Sequence, residues 1–343
     1  MQHRYTDRLN QILRQVSRSF YLSLKILPPS VRAPIGLAYL FARAADTIAD
    51  TSLIRPSERL YRLEQFCRLF ERHDATMLAE LEAALTGPQQ IPAERELLAS
   101  LDRCFAVYRE LDAADQARIS RLLLTLTRGM VMDLTLFPPE HDGRLVPLQT
   151  RADLDQYTYY VAGCVGEFWT EMHVAHRPSL AGWDLAEMKR RAIRFGKGLQ
   201  LTNILRDLAR DLRLGRCYIP LEDLARRGIL PEDLLDPTSI VKVRPVFEEL
   251  LALTLEHYQE GWSYTQAIPR REVQMRLACA WPLLIGLHTL ILIARADNVL
   301  DPTITLKIRR PLVYRVILSS SLLVGTNWGL TQYAQRLRRR LPF

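Results

Sequence analysis

Apolar residues recur at spacings of three and four in almost every segment between prolines, the period of helices that bury one face. Alternating strand-like runs closed by Asn-Gly or Asp-Gly turns are missing, so the pattern predicts an all-α protein. Punctuation comes from Pro28-Pro29, Gly87-Pro88, Pro138-Pro139 with "EHDGR", Pro178, Pro220, Pro231, Pro245, Pro269 and Pro302, which divide the chain into roughly ten or more helices of ordinary length. "SERLYRLEQFCRLFERH" and "DLAEMKRRAIRFGKGLQLTNILRDLARDL" are the most strongly periodic stretches. No break is long or polar enough to act as a linker and no period repeats, so residues 1–343 are expected to form a single domain. Leu277 to Ala294 and Val316 to Gln335 carry no charge and approach membrane length. A spanning helix needs about 20 mainly apolar residues. Pro282 and His288 in the first stretch, and the serines, threonines, Asn327 and glutamines of the second, mark both as buried core helices.

With 343 residues, 48% of them hydrophobic and 24% charged, the chain can bury a large core, which argues against disorder. Cys67, Cys104, Cys164, Cys217 and Cys279 are scattered without a CxxC pair, and Met1 to Phe20 is polar and basic. A disulfide framework, a zinc ribbon and a secretory leader therefore have no support, and the expected home is the cytoplasm.

A formal charge of +8 favours an anionic partner: nucleic acid, a lipid headgroup or a phosphorylated small molecule. "KRRAIR" (Lys189 to Arg194) and "RLRRR" (Arg336 to Arg340) have no helix-turn-helix or interleaved aromatics around them, so they read as solvated faces and no nucleic acid is expected. The terminal run would also suit peripheral contact with an anionic membrane, on its inner face. "GKG" (Gly196 to Gly198) lies inside a helical pattern and is no phosphate loop. Glu171, His173 and His176 read as an exposed helix end rather than a metal site.

Chemistry enters with "YLFARAADTIAD", Tyr39 to Asp50. Asp46 and Asp50 lie four apart, a like-charge pair that costs an isolated helix a few tenths of a kcal/mol and more when buried. Ala42, Ala44, Ala45, Ile48 and Ala49 suit an interior wall, and the one nearby cation, Arg43, points along the same side as the two carboxylates. In "GLQLTNILRDLARDL", Gln200, Asn203, Asp207 and Asp211 fall on one stripe of a helix. A lone pair of this kind reads first as a solvated acidic face, and Arg206 and Arg210 would screen the second. Two rows of hard oxygen donors, the first against an apolar wall, point instead to Mg²⁺ and a diphosphate. The reaction class that follows is ionisation of a diphosphate ester beside a dry cavity.

"SRSFYLSLKILP", "YLFARAADTIAD", "YTYYVAGCVGEFW" and "LQLTNILRDLARDLRLGRCYIP", in that order, resemble the squalene and phytoene synthase family of head-to-head isoprenoid condensing enzymes. The likeness runs from about Leu9 to Pro220 and more loosely through "ACAWPLLIGLHTL". It implies one isoprenoid synthase domain, a helical bundle with a central apolar cavity. It implies Mg²⁺ and diphosphate binding by Asp46, Asp50, Asn203, Asp207 and Asp211, and catalytic roles for Arg43, Tyr157, Arg206 and Tyr218. Ser17, Ser19, Phe20, Tyr39, Val161, Ala162, Gly166 and Gln200 match positions that contact or shape the substrate site. The small residues of "VAGCVG" otherwise signal close helix packing, and that reading is kept for Gly163.

The implied reaction joins two farnesyl diphosphates through a cyclopropylcarbinyl diphosphate. Hydride from NADPH then gives squalene, whereas proton loss gives dehydrosqualene, or phytoene from C20 substrates. "DTIAD" is similar to the DTxxD form of the squalene branch, and "RGMVMD" with "LDQYTYYVAGCVGEFW" looks like its bacterial members. No dinucleotide fingerprint is present, so NADPH is implied by the resemblance alone, with no residue assigned. An alternative of another class is a noncatalytic helical adaptor for acidic membranes.

Overall fold

The computed structural model describes residues 2–17, 21–51, 53–139 and 142–341, excepting the side chains of residues 2–7. Its contacts gather into two compact units, residues 1–134 with 171–178, and residues 135–170 with 179–343.

Helices α1 (Gln2–Val16), α2 (Tyr21–Ile26), α3 (Pro29–Asp50), α4 (Pro56–Glu71), α5 (Ala75–Thr86), α6 (Pro92–Leu98), α7 (Leu101–Glu110) and α8 (Ala113–Leu136) come first. Proline opens α3, α4 and α6, where its missing N–H is no loss and its fixed φ suits the first turn. The first unit closes on an aromatic cluster. Phe41, fully buried on α3, meets Phe105 at 4.7 Å and Phe70 at 4.9 Å between ring centroids, and Phe66 and Tyr108 complete the group. Edge-on and tilted rings of this kind add about 0.5–1.5 kcal/mol per pair beyond area burial, and here they fix the rotation of α3.

The chain continues through β1 (Val146–Pro147), α9 (Arg151–Thr158), a π-helical turn (Tyr159–Gly163), α10 (Cys164–His176), α11 (Leu185–Arg213), β2 (Arg216–Cys217), α12 (Leu221–Ala225), α13 (Ile240–Ala267), α14 (Val273–Ala294), α15 (Arg310–Leu323) and α16 (Asn327–Arg338). The two short strands pair in parallel, Val146 with Arg216 and Pro147 with Cys217, a detail that the helical pattern did not predict. Gly215 makes the pairing reachable. Its φ of 80° turns the chain out of α11 in a conformation that side chains with a Cβ rarely adopt.

The second unit is built on α11, α13 and α14. Thr202 on α11 and Tyr258 on α13 join hydroxyls at 2.8 Å in the core. Helix α14 is apolar enough to cross a membrane but is mostly buried, as expected of a core helix. Its Arg276 is fully buried, and donates to the carbonyl oxygens of Ile268 at 2.7 Å and Val324 at 3.2 Å and to Asn327 Oδ1 at 2.7 Å. The stretch Val316 to Gln335 departs from its expected character. It breaks at the α15–α16 turn, where the Thr326 side chain caps α16 by accepting from Gly329 N, and the outer face of α15 is exposed. All five cysteines are free.

Candidate functional site

On α3, Tyr39, Arg43, Asp46 and Asp50 follow at steps of four, three and four, opposite the buried Phe41, Ala44, Ala45 and Ile48. The aromatic cluster that locks Phe41 therefore also aims this polar row. Asp46 is half-buried and Asp50, at the last turn, is exposed, so the row runs outward from the apolar wall instead of lying wholly inside it. Nor are the carboxylates left to themselves. Arg43 bonds Asp46 with one amino group and Glu94 Oε1 at 2.6 Å with the other, while Gln89 Nε2 donates to Glu94 Oε2 at 3.2 Å. Burial, and after it the charge of Asp50, push the Asp46 carboxyl up to about 6, with Arg43 pulling the other way.

On α11, Gln200, Asn203, Asp207 and Asp211 are all partly exposed, between buried Leu201, Ile204, Leu205, Leu208 and Leu212. Asn203 Nδ2 donates to Gln200 Oε1 at 3.3 Å. Arg206 makes a two-pronged ion pair with the Asp207 carboxylate, its Nε at 2.9 Å from Oδ1. Each row thus carries a guanidinium already engaged by one of its aspartates. The donors are carboxylate and carboxamide oxygens, which fit a hard divalent cation, and the Nε of Arg43 is buried with no acceptor among the described residues. The residues present fit Mg²⁺ with a phosphate-bearing ligand.

Tyr157 and Tyr218 are brought together. Their rings stack at 4.8 Å and 26°, the Tyr157 hydroxyl donates to that of Tyr218 at 3.2 Å, and Phe137 packs edge-on to Tyr218 at 5.1 Å. The strand pair makes this possible, because Tyr218 directly follows β2. Val161 and Ala162 lie half-buried in the π-turn, a feature that often marks functional sites. A Cβ on Gly166 would stand 2.0 Å from the Ala192 carbonyl oxygen, and one on Gly196 would stand 2.3 Å from that of Ala162. The close approach of these backbones accounts for Gly166 by itself.

Ser17 is buried and its hydroxyl donates to the Leu13 carbonyl at the end of α1. Ser19 and Phe20 lie outside the described residues. Sequence reasoning missed Glu94, Gln89 and Phe137, whose roles depend on contacts far along the chain. It also took the end of α10 as exposed. His173 is instead fully buried, Glu171 pairs with Arg121, and His176 Nε2 lies 2.7 Å from Asp115 Oδ2. Lys189 to Arg194 is an ion-paired face, with Glu167, Glu187 and Glu260 as partners. Lys197 of "GKG" is held 2.6 Å from Asp155 Oδ1.

The profile of the squalene/phytoene synthase family matches residues 13–311. The squalene synthase of Eremothecium gossypii is 27% identical over 336 residues, covering 97% of this chain and 72% of that protein. A bifunctional lycopene cyclase/phytoene synthase of Colletotrichum graminicola is 29% identical over 262 residues, 75% of this chain and 41% of that protein. The solved structure of TcSQS with the ligand E5700 matches at a TM-score of 0.77 and 26% identity, covering 97% of this chain and 91% of that one. The fold is the all-α isoprenoid synthase type.

Proposed function

The chain belongs to the squalene/phytoene synthase family, and from that premise we propose that it is a squalene synthase that joins two farnesyl diphosphates head-to-head. The observation that supports this best is the pair of oxygen-donor rows on α3 and α11, each with its own arginine in ion contact, Arg43 with Asp46 and Arg206 with Asp207. In this reading residues 1–343 work as one isoprenoid synthase domain.

Asp46, Asp50, Asn203, Asp207 and Asp211 would hold Mg²⁺, which when bound would supply neutralising charge to a departing diphosphate. Arg43 and Arg206 exchange carboxylate oxygens for phosphate oxygens, for which a planar guanidinium is equally well shaped. Gln200 completes the α11 row and Tyr39 the α3 row, and Ser17, Ser19 and Phe20 take part in substrate binding as the resemblance implies. The stacked Tyr157 and Tyr218 offer π-faces and paired hydroxyls to a developing cation, worth about 0.5–2 kcal/mol. Val161 and Ala162 border room for prenyl chains, whose burial contributes about 0.8 kcal/mol per methylene, and Gly166 shapes that wall by letting its backbone close on Ala192. Reduction draws on NADPH as the resemblance implies, and no residue is assigned to it. The protein works in the cytoplasm, in peripheral contact with an anionic membrane.

Two measurements test the reading. Asp46→Asn and Asp207→Asn are each expected to lower Mg²⁺-dependent diphosphate release from farnesyl diphosphate on the order of a hundredfold; full activity in either ends the assignment. Product analysis with NADPH should give squalene. The phytoene synthase relative makes the rival concrete: dehydrosqualene as sole product with ample NADPH, or efficient phytoene formation from C20 substrate, moves the protein to the carotenoid branch.

A further inference from the structure

We propose that the outer face of α15, together with the α15–α16 turn, is the surface by which this protein docks on an anionic lipid bilayer. The proposal rests on the membrane contact in the reading above, gives it residues, and is independent of the chemistry.

Tyr314, Leu318 and Leu322 follow at steps of four on α15 and are 64%, 65% and 79% exposed; Trp328, in the first turn of α16, is 75% exposed. The inner face is already supplied with apolar side chains, Val316 fully buried and Leu312, Val313, Ile317 and Leu323 half-buried, and it also holds a serine. Ser320 is fully buried, accepting from Trp281 Nε1 at 3.1 Å and donating to the Val316 carbonyl at 2.7 Å. With the core side of α15 already filled, Tyr314, Leu318 and Leu322 form a second apolar stripe that packs on nothing in its own fold, and an apolar stripe left in water is the mark of a surface that something covers. The register is not free to rotate, because Arg276 holds the Val324 carbonyl and Asn327 from below.

Charge identifies what covers it. Residues 302–343 contain eight basic residues and no acidic one, as large as the +8 of the whole chain. Lys307, Arg309, Arg310, Arg315, Arg336, Arg338, Arg339 and Arg340 are all exposed. A second copy would bring like charge against like charge, which is repelled, and a phosphodiester backbone has no use for leucines. An anionic bilayer meets both features: headgroups attract the basic residues, and leucines flanked by Tyr314 and Trp328 suit the boundary between headgroups and acyl chains.

The test is sedimentation of the full chain with vesicles of phosphatidylcholine alone or mixed with phosphatidylglycerol. The protein is expected to pellet with the mixed vesicles and to stay in solution with phosphatidylcholine. L318Q/L322Q and R309Q/R310Q should each weaken binding about tenfold or more, with melting temperatures unchanged because the altered side chains are exposed. Three results overturn the proposal: no binding of the unaltered protein to mixed vesicles, equal binding by the leucine variant, or a dimer in sedimentation velocity that the leucine variant reduces to monomers. Turnover of detergent-dispersed farnesyl diphosphate, followed in parallel, reports on the chemistry alone. Loss of turnover with vesicle binding intact counts against the enzymatic reading and leaves the docking surface standing.

Discussion

His257 on α13 shows how one buried side chain sets a response to pH. Burial first, and then Arg194 and Lys197, hold its imidazole down to about 4, with Asp155 opposing; its Nδ1 accepts from Arg194 Nε at 3.3 Å. An unfolded histidine titrates near 6.5. Between those values the unfolded chain binds a proton that the folded protein refuses, so stability falls as pH falls through the window, by about 3 kcal/mol across its width. His257→Gln is therefore expected to flatten the slope of the denaturation midpoint between pH 6.5 and 4, and an unchanged slope would show that other groups carry it. At this scale the sequence was legible where spacing alone decides. The steps of three and four in Asp46, Asp50, Gln200, Asn203, Asp207 and Asp211 announce shared faces whatever the tertiary structure. It was silent on Glu94 as second partner of Arg43, because 51 residues separate the two and no local pattern records such a meeting.

Among the elements, the crossing of α10 and α11 depends on the absence of two side chains. Gly166→Ala would place a methyl 2.0 Å from the Ala192 carbonyl oxygen, where only backbone could yield. Overpacking of that kind costs about 1–3 kcal/mol or more, so a fall of several degrees in the melting midpoint is expected. Gly182→Ala, with nothing within 4 Å, serves as the control and should hold its midpoint or gain slightly. Periodicity revealed the existence of α10 and α11 but not the π-turn before α10. A π-turn adds one residue to a helix, and the apolar period absorbs that phase slip without a visible break. The same averaging hid the second, outward apolar stripe of α15, since counting apolar residues cannot tell which side meets the core.

For the molecule as a whole, the all-α class was plain from the missing alternation, and the folded basic segment explains the charge that composition reported without a location. With the net charge concentrated in residues 302–343, vesicle binding should depend steeply on ionic strength. A tenfold rise in salt shortens the Debye length about threefold, and bound protein should fall with it, the remainder measuring the leucine contribution; indifference to salt would mean that the arginines do not face the headgroups. Yet the segment is no detachable appendage. The guanidinium of Arg276 takes two of its three oxygen partners from the α15–α16 turn, so a protein trimmed after Asp301 would lose both of them along with the helices that cover it. The last two helices are stitched into the structure by that arginine, so whatever they do outside is anchored from within.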